Sequence, residues 1–311
     1  MGRNTKIEEL QFPVKLKPVY VKRNKNKMLT NYSAVTGIIN KKENIFSVVS
    51  RNYALVLNNE AIVLGRRIMK EMFPEAGEDN LIVFNLNYPE TRSYCHIDLI
   101  NENYTFNIWE KEVYVPFLRI TNSYNKSRKL GFEIGFVRKV CDNGVIFERE
   151  IVRLNYFHYN KTLNNFSDSI ISDSKMKKLK EIEKSFTEYM RNLKEIIIAK
   201  EYFTGITAKI FGLKFSKENV STKYSKILEK QKEEFVNIME KLKQMYTSEL
   251  GENAYSLFNT ATAFANETGF VKCGRYNSFQ TKTGKWVREI VRINKERKIQ
   301  EYLKNCKDYL N

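Results

Sequence analysis

From Phe12 to Lys27 apolar and basic residues alternate, so a period of two puts Val14 and Leu16 on one side and Lys15 and Lys17 on the other. A basic edge strand and a disordered arm both read this way. Thr36 to Ile39 and Ile45 to Val49, joined by the loop Asn40 to Asn44, predict a hairpin. Asn58 or Asn59 then caps a helix in which Ala61, Ile62, Leu64, Gly65, Ile68, Met69 and Met72 recur at three and four until Pro74, and that stripe should lie on a sheet. The sheet follows as Leu81 to Leu86, Arg92 to Ile100, Tyr104 to Trp109 and Glu112 to Thr121. Their short connections predict an antiparallel meander. Arg128 to Val140 fits both periods, and Gly131 with Gly135 favours a strand. After Asp142-Asn143-Gly144, alternation returns and predicts one long strand from Val145 to His158.

The period then changes. Asn160 to Asp173 is rich in Asn, Ser and Asp and reads as a linker or exposed loop, after which Met176, Leu179, Ile182, Phe186, Met190, Leu193 and Ile197 mark an amphipathic helix of about seven turns. A second helix opens at Ser221 and ends before Gly251, and the two are expected to pair antiparallel. Asn253 to Asn266 predicts a small helix with Leu257, Phe258, Ala261 and Phe264 inward. Lys272 to Lys285 reads as a glycine-containing loop, and Trp286 to Leu310 as a basic terminal helix. The expected fold is α+β: an antiparallel meander sheet with a packed helix, followed by a helical region with long amphipathic helices. Its expected divisions are a basic strand or arm at 1–50, an α+β core at 51–160 and a helical region at 161–311. No internal repeat is visible.

Composition narrows the class. The 311 residues are 42% hydrophobic and 29% charged, as in globular proteins, and no run approaches the roughly 20 apolar residues of a membrane span. The residues after Met1 open no hydrophobic signal core, so a cytoplasmic location and no membrane partner are expected. Cys95, Cys141, Cys273 and Cys306 lie too far apart for a paired spacing and suit reduced thiols. A formal charge of +17 attracts polyanions, although a chain rich in Lys and Asn also arises from AT-rich coding.

Catalytic signals are sparse. His96 and His158 lie in no ligand motif, so no metal is expected, and no phosphate loop or dinucleotide fingerprint occurs, so no cofactor is expected. On the alternation Tyr94, His96 and Asp98 share a polar, solvent-facing side of the sheet while Cys95 points into the core. Glu133, Glu148 and Glu150 flank the Asp142 turn as a nuclease would need, but they read more simply as solvent-facing strand carboxylates.

Binding signals are richer. Arg119, Lys126, Arg128, Lys129, Arg138 and Lys139 bracket a polar turn that contains Tyr124, and Arg275, Tyr276, Lys285 and Trp286 mix cations with rings further on. Such mixtures hold phosphates while stacking bases. Asn122, Ser123, Asn143 and Gly144 equally explain two structural turns. The order Asn122-Ser-Tyr-Asn-Lys-Ser127, then Gly135-Phe-Val-Arg-Lys-Val-Cys-Asp-Asn-Gly-Val145, resembles the signature of a prokaryotic phage/plasmid-like protein family, a domain of unknown function. Tyr53-Ala-Leu-Val and Ala254 to Thr262 extend the likeness from about Arg51 to Ala265. Asn125-Lys126 stand where that family has Asp-Gly.

The likeness implies a phage, plasmid or other mobile element as context. A helix on a meander with strong basic charge is also similar, at the level of fold, to phage single-strand annealing proteins. The expected function is non-catalytic binding of nucleic acid, single-stranded DNA or RNA, in recombination or replication. The alternative is an anti-defence protein that inhibits a host nucleoprotein complex such as a CRISPR effector. Assembly into a homo-oligomer stays open.

Overall fold

The computed structural model describes residues 7–24, 26–73, 80–140, 144–148, 154–156, 173–215, 222–267, 270–271, 273–307 and 309. By proximity of Cα atoms the chain separates into two compact units. The first comprises Met1–Thr105, Val115–Gly135 and Arg149–Lys180, and the second Phe106–Tyr114, Phe136–Glu148 and Glu181–Asn311. The units therefore interleave along the sequence. The architecture is α+β, with antiparallel sheets and a helical C-terminal region.

The first unit opens with a three-stranded antiparallel sheet of β1 (Val14–Arg23), β2 (Asn26–Ile39) and β3 (Lys42–Ser50). Asn40 and Lys41, at φ 50 and 64, form a two-residue turn between β2 and β3, tighter than the five-residue loop expected. Asn tolerates this left-handed backbone better than most residues, and such turns match the twist of a hairpin. One face of the sheet carries Val35 and Val49 into a small core with Phe12, Phe46 and the ring of Tyr124.

Helix α1 (Asn58–Met72) follows, its start fixed by Glu60 Oε2, which accepts from the Leu57 amide at 2.7 Å. It rests on β5 (Tyr94–Asn101) and β7 (Glu112–Ser123) at Gly65, where a Cβ would collide with Ile120 and Leu99. Gly65 thus allows the close approach that the apolar stripe predicts. Strand β4 (Leu81–Asn87) pairs β5, and β5 pairs β7, both antiparallel. Strand β8 (Leu130–Arg138) continues the path, which settles its two-way pattern in favour of a strand.

Strand β6 (Phe106–Trp109) and the first residues of β7 form an antiparallel hairpin in the second unit. The expected long strand is described as β9 (Gly144–Glu148) and β10 (Leu154–Tyr156), both paired with β8. The Asn160 to Ser172 segment lies outside the described residues.

The helices are α2 (Asp173–Glu195), α3 (Phe203–Phe211), α4 (Thr222–Leu250), α5 (Ala254–Ala265), α6 (Cys273–Lys295) and α7 (Ile299–Lys307). In the second unit Phe186 of α2 stacks on Phe136 and meets Phe106 and Tyr114 edge-on. Among the described residues α4 packs mainly on α5, so the α2–α4 pair expected of the two long helices is not its main contact. The Asn253 side chain explains the tight α4–α5 corner: its Oδ1 accepts from Ser256 N at 2.9 Å and its Nδ2 donates to Leu250 O at 2.7 Å.

The expected loop from Lys272 to Lys285 is instead the first half of α6. Glycine and small polar residues argue locally for a loop, but Tyr276, Phe279, Gln280, Thr283, Val287 and Ile290 are all buried and recur at helical spacing. The threonines fit because Thr281 and Thr283 return their hydroxyls to Asn277 O and Phe279 O. Tertiary packing has overridden propensity.

Candidate nucleic-acid interface

The signature turn is built inward. Tyr124 is buried, its phenol accepts from the Asn58 amide at 3.0 Å, and its carbonyl accepts from Ser47 Oγ at 2.7 Å. It thereby satisfies one of the amides that the first turn of α1 leaves without an intrahelical partner. Asn122 Nδ2 donates to Val56 O and Asn58 Oδ1, while Ser123 Oγ both donates to Arg128 O and accepts from Arg128 N. Asn122 and Ser123 are turn-building residues. Lys126 (φ 58), Arg128 and Lys129 remain exposed at the turn, with the Arg128 guanidinium 5.5 Å from the Tyr94 ring.

Arg119 is fully buried and bonds Asp98 through two N–H groups, each at 2.7 Å. The face expected to meet solvent is closed: His96 and Asp98 are buried, and His96 Nδ1 lies 2.9 Å from Thr121 Oγ1. Burial, reinforced by Arg119 and Arg128, holds the His96 imidazole down to about 3, so it is neutral at physiological pH. Cys95 is a core thiol, donating to Asn58 Oδ1 at 3.4 Å.

In the second unit Arg138 is also buried, forked onto Glu112 at 2.6 and 2.8 Å and reaching Glu249 at 2.6 Å. Burial works against its charge, but the hydrogen bonds to the two carboxylates outweigh it and raise its pKa. Tyr255 donates to Glu112 Oε2 at 2.9 Å, and its hydroxyl lies 2.8 Å from that of Tyr114. Arg119 and Arg138 therefore stand as internal ion pairs rather than as phosphate ligands in this structure. Lys139 is exposed.

Of the late group, Tyr276 and Trp286 are buried, the latter donating from Nε1 to Tyr302 Oη at 3.0 Å, so neither ring is an exposed platform for the bases of a strand. Arg275 and Lys285 are exposed ten positions apart on α6, about 15 Å along its axis. Asn143 lies outside the described residues, and Gly144 opens β9. Glu133 is buried rather than solvent-facing. The Glu148 side chain and Glu150 lie outside the described residues. No group of three or more His, Cys, Asp or Glu placed to hold a metal occurs among the described residues.

What the list of single residues missed is the β1–β2 hairpin. Beyond the bulge at Pro18/Tyr20, the pairs Tyr20↔Leu29, Val21↔Met28, Lys22↔Lys27 and Arg23↔Asn26 form a two-stranded arm with residues of both faces exposed. Alternation puts Tyr20, Lys22, Lys27 and Leu29 on one face and Val21, Arg23, Asn26 and Met28 on the other. Tyr20 is 54% and Tyr32 56% exposed. Thr30 fits the bulge, its hydroxyl donating to Val19 O at 2.8 Å and accepting from Tyr32 N. The signal was present: from Leu10 to Lys42 the chain contains Lys15, Lys17, Lys22, Arg23, Lys25, Lys27, Lys41 and Lys42 and no acidic residue.

Lys17 is held at 2.6 Å by Glu43, an exposed pair of little energetic weight. Lys22, Arg23 and Lys27 form no ion pair among the described residues. No helix among the described residues is long and apolar enough to cross a membrane. Compared with known proteins, the chain matches no family model, no curated protein and no solved structure.

Proposed function

We propose that the protein binds nucleic acid without catalysis and that the β1–β2 arm is the principal interface, with a single strand as its ligand. One observation carries the reading: the half-exposed ring of Tyr20 shares a face of the arm with Lys22 and Lys27, which form no ion pair among the described residues. A ring exposed on a projecting ribbon offers its face to an unstacked base, and adjacent ammonium and guanidinium groups neutralise the phosphates that follow it. The chain's charge of +17 adds a long-range attraction that raises the encounter rate. The resemblance to phage/plasmid-like proteins and to single-strand annealing proteins agrees with this use, which would serve recombination or replication of a mobile element.

Fluorescence anisotropy with labelled single-stranded DNA and RNA, at about 50 mM salt, tests the proposal. Saturable binding without cleavage supports it. Substituting Tyr20 with Ala should weaken binding by about 1–3 kcal/mol if one base stacks there. Binding that ignores this ring would remove the arm from the interface.

A second reading, an interaction protein that engages a host nucleoprotein, is favoured by the outer face of the three-stranded sheet. There Ile38, Ile45 and Val48 are exposed beside Tyr32. Capture of a host complex that survives nuclease treatment, and is lost on Ile45→Glu, would put this reading first.

A further inference from the structure

A cavity of about 260 Å³ opens in the second unit where α3, α6 and α7 meet. Lys209 reaches it from α3, Lys282 and Lys285 from α6, and its walls include Ile210, Trp286 and Tyr302. Lys209 Nζ lies 4.7 Å from the centre of the Tyr302 ring and 3.5 Å from Cys306 Sγ. Lys282 Nζ donates to Phe211 O at 2.8 Å, at the C-terminal end of α3, where Gly212 turns the chain in the left-handed conformation. Each ammonium has three N–H groups, so these contacts leave donors unused.

None of the three lysines forms an ion pair among the described residues, although Lys209 and Lys282 are partly buried. The groups that Lys209 touches do not supply a negative charge. Burial pushes the Cys306 thiol above its ordinary value despite Lys209, and burial raises the Tyr302 phenol as well, so both are neutral near pH 7. Glu289 also lines the cavity but is exposed and pairs with none of them. The fold thus draws two ammonium groups partly out of water around one opening, with the exposed Glu289 carboxylate as the one acidic group on its lining.

We infer that this cavity is an anion-binding pocket for a small phosphomonoester, with Lys209, Lys282 and Lys285 holding the phosphate and Trp286, Tyr302 and Ile210 flanking its organic part. A phosphate presents several acceptor oxygens to three converging donors, and the aromatic and aliphatic walls suit a ring or short carbon frame. Glu289 at the rim can accept from a hydroxyl or amino group of the same ligand. The pocket is independent of the arm, and its occupant is a small molecule.

The test uses the full chain carrying Trp109→Phe. The protein has two tryptophans, so emission then reports Trp286 alone. Adenosine monophosphate, inorganic phosphate and adenosine are titrated separately, with calorimetry in parallel. The expected result is a saturable change in Trp286 emission with adenosine monophosphate, competed by inorganic phosphate and absent with adenosine. Lys209→Met keeps the stem on Tyr302 and should weaken the nucleotide at least about tenfold with an unchanged melting midpoint. Lys209→Arg should retain binding. Lys285→Gln, at an exposed position, serves as the second variant and should weaken binding in the same direction. Removing the arm cations Lys22, Arg23 and Lys27 should leave mononucleotide binding intact. No response to phosphate or nucleotide at millimolar concentration, or equal affinity in wild type, Lys209→Met and Lys285→Gln, would overturn the inference.

Discussion

Replacing Arg119 with Met should destabilise the protein severely while leaving the affinity of the folded molecule for a single strand unchanged. Arg119 has no exposed surface and meets Asp98 through two parallel bonds of 2.7 Å. Without the guanidinium, Asp98 keeps, among the described residues, only the Asn85 amide at 3.3 Å and becomes an uncompensated buried carboxylate. Breaking a buried pair from one side costs about 3–5 kcal/mol, because the desolvation of the remaining charge is no longer offset. Removing both charges, as Asp98→Leu with Arg119→Met, should recover most of that loss, so a double-mutant cycle should give a coupling of at least about 2 kcal/mol. Urea denaturation followed by circular dichroism reads the stability, and anisotropy on the folded fraction reads the binding. A single variant that loses less than about 1 kcal/mol yet binds a strand tenfold more weakly would refute the reasoning and return Arg119 to the interface.

Lowering the pH should destabilise through His96, because its folded pKa of about 3 lies below the unfolded value of about 6.5 and the unfolded chain therefore takes up the proton first. Stability should be flat above pH 6.5 and fall by about 2 kcal/mol by pH 5, and His96→Asn should abolish that slope in chemical denaturation. Gly205→Ala should lower stability by about 1–3 kcal/mol despite its better helix propensity, since the new Cβ would sit 2.5 Å from the Cys306 carbonyl; a raised melting midpoint would contradict the close α3–α7 packing. Asn253→Ala should cost about 1–2 kcal/mol by removing the cap of α5, whereas Asn253→Ser should retain part of it, as thermal melts would show.

The elements that could be read in advance are those whose pattern follows from local geometry. The stripe of α1, the strands β5 and β7 and the period of α5 each recur in the structure, but both faces of the two strands are buried where alternation predicted one polar face. Gly65 was legible as part of the stripe, though only the sheet beneath it shows why a side chain is excluded there. Residues 273–285 look like a loop because glycine, serine and threonine argue locally for one, while the burial that makes them helical depends on β9 and α3, distant in sequence, and on α5.

The candidate site shows the same division. A charged residue on a strand looks exposed until its partner is known, and Asp98, Glu112 and Glu249 lie 21, 26 and 111 positions from the arginines they hold. The arm was visible as alternating cations but carried no motif. Its meaning depends on the pairing of Tyr20 with Leu29, which leaves the Tyr20 ring outside a core.

The most direct test is the salt dependence of single-strand binding, compared between wild type and a variant with Lys22, Arg23 and Lys27 replaced by Ala. Each phosphate neutralised by the arm contributes about −0.7 to the slope of log affinity against log salt for a single strand, so removing three cations should flatten it by about 2 units. The melting midpoint should stay unchanged, because all three side chains are exposed. A slope that does not move, or that flattens equally when Arg275 and Lys285 are replaced instead, would contradict the assignment of the arm as the interface.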